Sequence, residues 1–514
     1  MFIRSRLAVP ALVVLTAAAL AVPTGQSAVA DPTVAAAEVT NGCVDSVPEP
    51  DTTTPVKICY TLFKPAGASA EQQVPMILHS HGWGGSRTKT EGSFQPWLGA
   101  GFGVLSFDQR AHGESTGRAH VMNPAFEGKD VLKIVDLIAG LDWVEQERRG
   151  DPVLGSIGGS YGGGFQFAGA FTELKERGRT RFDALAPEIT WWDLKQSLAP
   201  DNIPRAWWLQ LLYATGGHRL PAEMQRLFQT YLVQGRWPDG EDGKIADEFF
   251  AKNGPAWHVS QGRRLDIPVL LGQGLTDNLF PLQQGLRNYD RALTRKARSQ
   301  SMLVGYNGGH TLPSLLPPGF GTPGDPCSQA LGSASFRDLS IRFMQLRLQD
   351  KQTGLTGFGR YHLATADGSR CISQQHLFPS TVRRLPSIVS TSAAGQPFAV
   401  KVADGPVTVA GPAYLSARVR SLAPGSRAFF ALSVGTTAAD AKIIQNNSVP
   451  MHEPVLVARA HRWLELAATA VDVPAGQSLF LTVSPIADMY GGTTGPPPGE
   501  LRLDRVRLFL HQVG

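Results

Sequence analysis

The chain lacks the marks of a metalloprotein: its 4 cysteines form no Cys-x-x-Cys pair, and no spacing among its 12 histidines supports a metal site. It also lacks a second long apolar run, so no stable membrane span is expected beyond the N-terminal segment. Internal repeats and low-complexity segments are absent. Charge is sparse and balanced, with 18% charged residues and a net charge of +5. That gives neither a nucleic acid nor an acidic polymer a dedicated surface. With 42% hydrophobic residues over 514 positions, the composition is that of a globular chain long enough for two or three domains.

The N-terminal segment differs from the rest. Arg4 and Arg6 precede an apolar stretch from Leu7 to Val22, and Ala28-Val29-Ala30 has the small-x-small form of a signal-peptidase site. Residues 1–30 are therefore expected to be a cleaved signal peptide, with a mature chain starting at Asp31 and secreted. Pro10 and the shortness of the run argue against an anchor. Arg4 and Arg6 lie in this segment, so the net charge of +5 falls to +3 without it. Four cysteines in an oxidising compartment point to two disulfides. Three pairings are open; closeness in sequence favours Cys43 with Cys59 and Cys327 with Cys371.

Chemistry enters with Gly158-Gly159-Ser160-Tyr161-Gly162, which follows an apolar run from Pro152 to Ile157 and leads into a helix-compatible segment. Glycines two before and two after the serine let the chain turn sharply from strand to helix, so the hydroxyl projects from a strained corner. Ser160 is the candidate nucleophile. The next strand-like run ending in an acid is Pro268-Val-Leu-Leu-Gly-Gln-Gly-Leu-Thr-Asp277, and the next ending in histidine is Ser301-Met-Leu-Val-Gly-Tyr-Asn-Gly-Gly-His310. The order Ser, Asp, His is the one expected of an α/β-hydrolase. A serine hydroxyl is a weak nucleophile at neutral pH; His310 would take its proton, and Asp277 would fix the imidazole tautomer.

An acyl-transfer site also needs donors for the developing oxyanion. His81-Gly82-Trp83-Gly84-Gly85 follows the first core strand and is expected to present the Trp83 backbone N–H beside that of Tyr161. Asp108-Gln-Arg-Ala-His-Gly-Glu-Ser115 closes the next strand, where Arg110 and His112 are read as structural. So are His79, His120, His218 and His258.

From Val74 to Ile189, strand-like runs alternate with helical periodicity, the rhythm of a mostly parallel sheet. Val131, Ile134, Val135, Ile138 and Leu141 give one helix an apolar face. From about 190 to 264 the rhythm breaks into a helical insertion, with Met224, Leu227, Phe228, Tyr231 and Leu232 on one amphipathic helix. Six of the 10 tryptophans fall there (Trp191, Trp192, Trp207, Trp208, Trp237 and Trp257), as a small core and, for one or two, an acyl pocket. A last helix is expected from Ser335 to Gln349. Beyond residue 370 short alternating strands read as a β-sandwich, with a bulge near Asp504 and Arg505 where the apolar phase changes.

With these features together, the chain resembles the Xaa-Pro dipeptidyl-peptidase and cocaine esterase family of α/β-hydrolases, as a secreted bacterial acyl hydrolase. The resemblance extends to the join, where Arg342-Phe-Met-Gln-Leu-Arg-Leu is followed by Gly411-Pro-Ala-Tyr-Leu and Val473-Pro-Ala-Gly-Gln. It implies a hydrolase domain over 31–369 and a C-terminal jelly roll over 370–514 that helps shape the site. Family members often use a tyrosine hydroxyl in the oxyanion hole, whereas Trp83 can offer only its backbone N–H. Dipeptidyl-peptidases also need acidic groups to hold a substrate amino terminus, and the sequence singles out no acid in the insertion for that task.

The fold class is thus an α/β-hydrolase with a helical cap, followed by an all-β sandwich. The leading expectation is a serine hydrolase that cleaves an ester, amide or short peptide through an acyl-enzyme, without cofactor or metal. Two alternatives are a proline-specific dipeptidyl-peptidase and an inactive surface-binding protein.

Overall fold

The computed structural model describes residues 36–234, 237–312, 317–390, 396–490 and 499–513, and only the backbone of 230–234. The expected signal peptide lies outside the described residues, as do the side chains of Tyr231 and Leu232.

A ten-stranded sheet organises the first two thirds of the chain. Its strands are β1 (Glu38–Ser46), β2 (Val56–Lys64), β3 (Met76–Ser80), β4 (Gly103–Phe107), β5 (Leu154–Gly159), β6 (Ala184–Glu188), β7 (Leu270–Gly274), β8 (Met302–Tyr306), β9 (Tyr361–Ala364) and β10 (Cys371–Gln374). The spatial order is β1-β2-β4-β3-β5-β6-β7-β8-β9-β10. From β4 to β9 neighbouring strands run parallel. A parallel sheet covered on both faces buries whole strands, and every residue of β4 and β7 is buried.

Helices cover the faces. In α1 (Glu127–Ala139), Val131, Ile134, Val135 and Ile138 are all buried against the sheet, while Leu141 falls just past the Gly140 cap. The elbow helix is α2 (Tyr161–Arg177). Between β6 and β7 the described residues form helices and no strand, including α3 (Leu194–Leu198), α4 (Ala206–Gly216), α5 (Ala222–Gln234), α6 (Gly240–Phe250) and α7 (Pro255–Ser260). Ala199, Met224, Leu227, Trp237 and Ala246 form a small core of their own there. The last helix, α8 (Phe336–Leu348), is capped by Ser335, whose hydroxyl accepts the Asp338 N–H at 3.2 Å.

Past β10 the described residues form strands and no helix, in six-, five- and three-stranded sheets around a second hydrophobic core, the six-stranded sheet taking one strand, Gly319–Phe320, from ahead of β9. Leu415, Ala417 and Val419 point into it, as alternation predicts. The bulge is present: Ser416 pairs with Arg507 and Arg418 with Asp504, so Ala417 faces two residues, and Arg505 has φ of 53°. Disulfides join Cys43 to Cys59, on adjacent antiparallel strands, and Cys327 to Cys371. Among the described residues no helix is long and apolar enough to cross a membrane.

Candidate active site

Ser160 sits at the turn from β5 to α2 with φ of 58° and ψ of −119°, a conformation rare for any residue but glycine. The flanking glycines permit it by close backbone approach. A methyl group on Gly162 would lie 2.4 Å from the Ser80 carbonyl oxygen, and one on Gly158 would lie 2.6 Å from the Gly162 carbonyl oxygen. The corner is hydrogen-bonded on all sides: Ser160 N–H donates to Glu188 O at 2.9 Å, and Gly163 and Gly164 N–H donate to Ser160 O at 2.9 and 3.0 Å. Gln166, fully buried, donates from Nε2 to the Gly158 and Gly162 carbonyls at 3.1 Å each. Nothing in the sequence pattern marks Gln166 for this part, because the two groups it donates to are backbone carbonyls.

Asp277 and His310 come together from the loops after β7 and β8. His310 Nδ1–H donates to Asp277 Oδ2 at 2.7 Å, while Asp277 Oδ1 accepts Leu279 and Phe280 N–H at 2.9 and 2.7 Å. Asp277 is fully buried, and the His310 ring packs edge-on against Trp208 and Phe280, with centroids 5.8 and 5.3 Å away. Gly309, at φ of 92°, brings the two loops into contact: a methyl group there would lie 2.8 Å from Asp277 Oδ2.

Two regions distant in sequence, the cap and the C-terminal β region, hold these loops, and Asn278 ties one loop to the other. Asn278 donates from Nδ2 to Leu312 O at 2.8 Å and accepts the Trp208 indole N–H at 2.8 Å. From the cap, Arg205 Nη1 donates to Asn278 O at 2.7 Å. From the C-terminal β region, Asn447 Nδ2 donates to Asp277 O at 2.9 Å and Asn446 Nδ2 to Leu312 O at 3.0 Å.

The His81–Gly85 loop follows β3 and reaches Ser160, since a methyl group on Gly82 would lie 3.9 Å from Ser160 Cβ. Its conformation is fixed through His81, whose Nδ1–H donates to Gly82 O at 2.8 Å while Nε2 accepts Gln109 N–H at 3.1 Å. Burial lowers the His81 pKa, which keeps this ring neutral in that tautomer. The Tyr161 N–H opens α2, where amides have no intrahelical acceptor and the helix dipole favours negative charge. Trp83, Tyr161 and His112 pack ring against ring at 5.1 to 5.5 Å.

The other histidines and Arg110 have structural surroundings. Arg110, fully buried, is bound by Asp130 and Glu49. Burial, then His81, pushes the His112 pKa down to about 3, and Nδ1 donates to Arg110 O at 2.9 Å. His79 bonds Ser106, His120 bonds Glu49, and His258 stacks on Phe171. His218 lies in a short turn after α4. Between Ser160 and the cap helices lies a cavity of about 90 Å³, bordered by Trp83, Tyr161, Trp191, Trp237 and Phe280 among others.

Residues 54–311, which include Ser160, Asp277 and His310, match the family model for X-Pro dipeptidyl-peptidase (S15 family). A curated protein of Escherichia coli, an uncharacterized 31.7 kDa protein in the traX-finO intergenic region, is 30% identical over 97 residues, or 19% of this chain. The match spans about a third (32%) of that protein's length. Solved structures match over nearly the whole chain. A CocE/NonD family hydrolase from Staphylococcus aureus superposes with a TM-score of 0.62 at 13% identity, covering 94% of this chain and 99% of its own. An aminopeptidase from a marine sediment archaeon, Thaumarchaeota archaeon, gives 0.62 at 12% identity over 93% and 97%. An α-amino acid ester hydrolase gives 0.60 at 12% identity over 96% and 100%. At such identities these likenesses bear on the fold.

Proposed function

The chain belongs to the S15 family of X-Pro dipeptidyl-peptidases and is a serine hydrolase of the α/β type, and on that premise we propose that Ser160, His310 and Asp277 form its catalytic triad. The observation that carries this reading is the 2.7 Å bond from His310 Nδ1–H to Asp277 Oδ2. It leaves Nε2 as the nitrogen able to accept a proton.

His310 Nε2 takes the Ser160 hydroxyl proton as Oγ bonds to the substrate carbonyl carbon, and the carbonyl π electrons move to oxygen. The backbone N–H groups of Trp83 and Tyr161 stabilise that oxyanion. When the tetrahedral intermediate collapses, the bond to the leaving group breaks and the imidazolium returns the proton to it. Water then repeats the sequence on the acyl-enzyme, releasing the acid and restoring Ser160. The substrate is a carboxylic ester or amide.

Secretion belongs to the same reading. It is supported by two disulfides and by the arginine-flanked apolar run ahead of Ala28-Val29-Ala30.

Fluorophosphonate labelling of the full chain and of Ser160→Ala tests the proposal. Labelling and ester turnover are expected in the parent, and the variant is expected to lose labelling and about 10⁶-fold in kcat. A folded parent that neither labels nor turns over esters would refute it. The dipeptidyl-peptidase reading, favoured by the description of the matching family, predicts turnover of Gly-Pro and Ala-Pro anilides in preference to simple esters.

A further inference from the structure

The cavity over Ser160 presents mostly hydrocarbon and aromatic faces, and, the Ser160 and Tyr161 hydroxyls apart, its hydrogen-bonding side chains are partnered elsewhere. Three indoles border it. The Trp83 N–H donates to Leu212 O at 2.8 Å, the Trp191 N–H to Asn253 O, and the Trp237 N–H to Asp247 Oδ1 at 2.9 Å. The Tyr213 hydroxyl accepts Gln229 Nε2–H at 3.2 Å. No aspartate, glutamate, lysine, arginine or histidine borders the cavity among the described residues.

A substrate ammonium placed there would lose its hydration with no carboxylate to replace it, a large cost in free energy. A hydrocarbon chain would leave water for a largely apolar, aromatic surface without charge. The volume of about 90 Å³ is small beside that of drug-sized pockets and suits a chain a few carbons long.

We propose that this cavity is the acyl subsite for a neutral aliphatic chain, so that the enzyme acts on esters or amides of short to medium-chain fatty acids and not on peptides with a free amino terminus. The proposal rests on Ser160 being the nucleophile. The chain would run from the Ser160 corner toward Leu227 on α5 and Ala246 on α6, both buried in the cap.

The test is a series of p-nitrophenyl esters from acetyl to hexanoyl, run beside Gly-Pro and Ala-Pro anilides, on the full chain and on Ala246→Phe. The parent kcat/KM is expected to rise about fourfold per added methylene, with the anilides at background. Ala246→Phe fills the far end and is expected to lower hexanoyl turnover by roughly tenfold or more while acetyl turnover stays within about threefold. Should Ala246→Phe lose acetyl turnover as well, Leu227→Ala decides: it lengthens the same end and should move the optimum to a longer ester. A flat or falling chain-length profile, or anilides as the better substrates, overturns the subsite and leaves Ser160 as nucleophile. A folded protein inert toward every ester and toward both anilides overturns the nucleophile assignment and the subsite with it.

Discussion

Asp277 offers one carboxylate to three donors, two backbone amides through Oδ1 and one imidazole through Oδ2. Only Oδ2 distinguishes the two tautomers of His310. Asp277→Asn keeps the shape and puts the wrong group opposite Nδ1, so kcat is expected to fall about 10⁴-fold with little change in thermal stability. Ester kinetics and a melting curve on the same sample check this. Glu127, nearly fully buried, makes a different kind of contact. Its Oε1 accepts His120 N–H at 2.6 Å and its Oε2 accepts Asn123 N–H at 3.0 Å. It thereby spans Val121 and Met122, both with φ above 50°. Burial, then Asp130, pushes the Glu127 pKa up from its ordinary 4.5 to about 8. Between those values the folded chain holds a proton that the unfolded chain releases, so stability falls as pH rises. The contribution is complete below about 4.5 and gone above about 8. Melting temperature should drop from pH 5 to pH 8, and Glu127→Gln should flatten that slope relative to the parent.

The elbow, the acid loop and the base loop differ in how much of each could be read from the sequence. The turn of the elbow is legible, because a strained serine and glycines where carbonyls approach too closely for a side chain lie within five consecutive residues, whereas Gln166, which binds two of its carbonyls, is not. Asp277 and His310 were legible as strand ends of the expected order. Their supports were not. Asn447 reaches Asp277 O across a sequence separation of 170, and no local pattern distinguishes such an asparagine from a turn residue. The same holds for Arg205, which serves the acid loop through a backbone carbonyl. Asn447→Ala removes a buried hydrogen bond and is expected to cost about 1 to 2 kcal/mol of stability. Because it acts on the acid loop and not on the substrate, kcat should fall while KM changes little. Ester kinetics on Asn447→Ala, beside the parent, separates the two.

Across the whole molecule, the C-terminal β region and the ten-stranded sheet share buried polar contacts. Gln445 Nε2 donates to Asn307 Oδ1 at 2.9 Å and to Ala364 O at 3.1 Å, and Gln283 Nε2 donates to Leu466 O at 2.6 Å. The disulfides act at the same scale, with sequence separations of 16 and 44. By the loop-entropy argument they add about 3 and 4 kcal/mol. Urea unfolding with and without reductant should therefore show a midpoint lowered by reduction, and Cys327→Ala/Cys371→Ala should cost more than Cys43→Ala/Cys59→Ala. The cavity wall has an optical consequence. Trp83, Trp191 and Trp237 all border the same small volume, whereas Trp207 is 55% exposed and emits from water. An aliphatic acid that fills the space lays hydrocarbon against three indoles at once and takes solvent from Trp83, the half-buried one, so occupancy should appear as a change in the intrinsic fluorescence. The emission spectrum would then give a binding isotherm in Ser160→Ala, where no turnover competes.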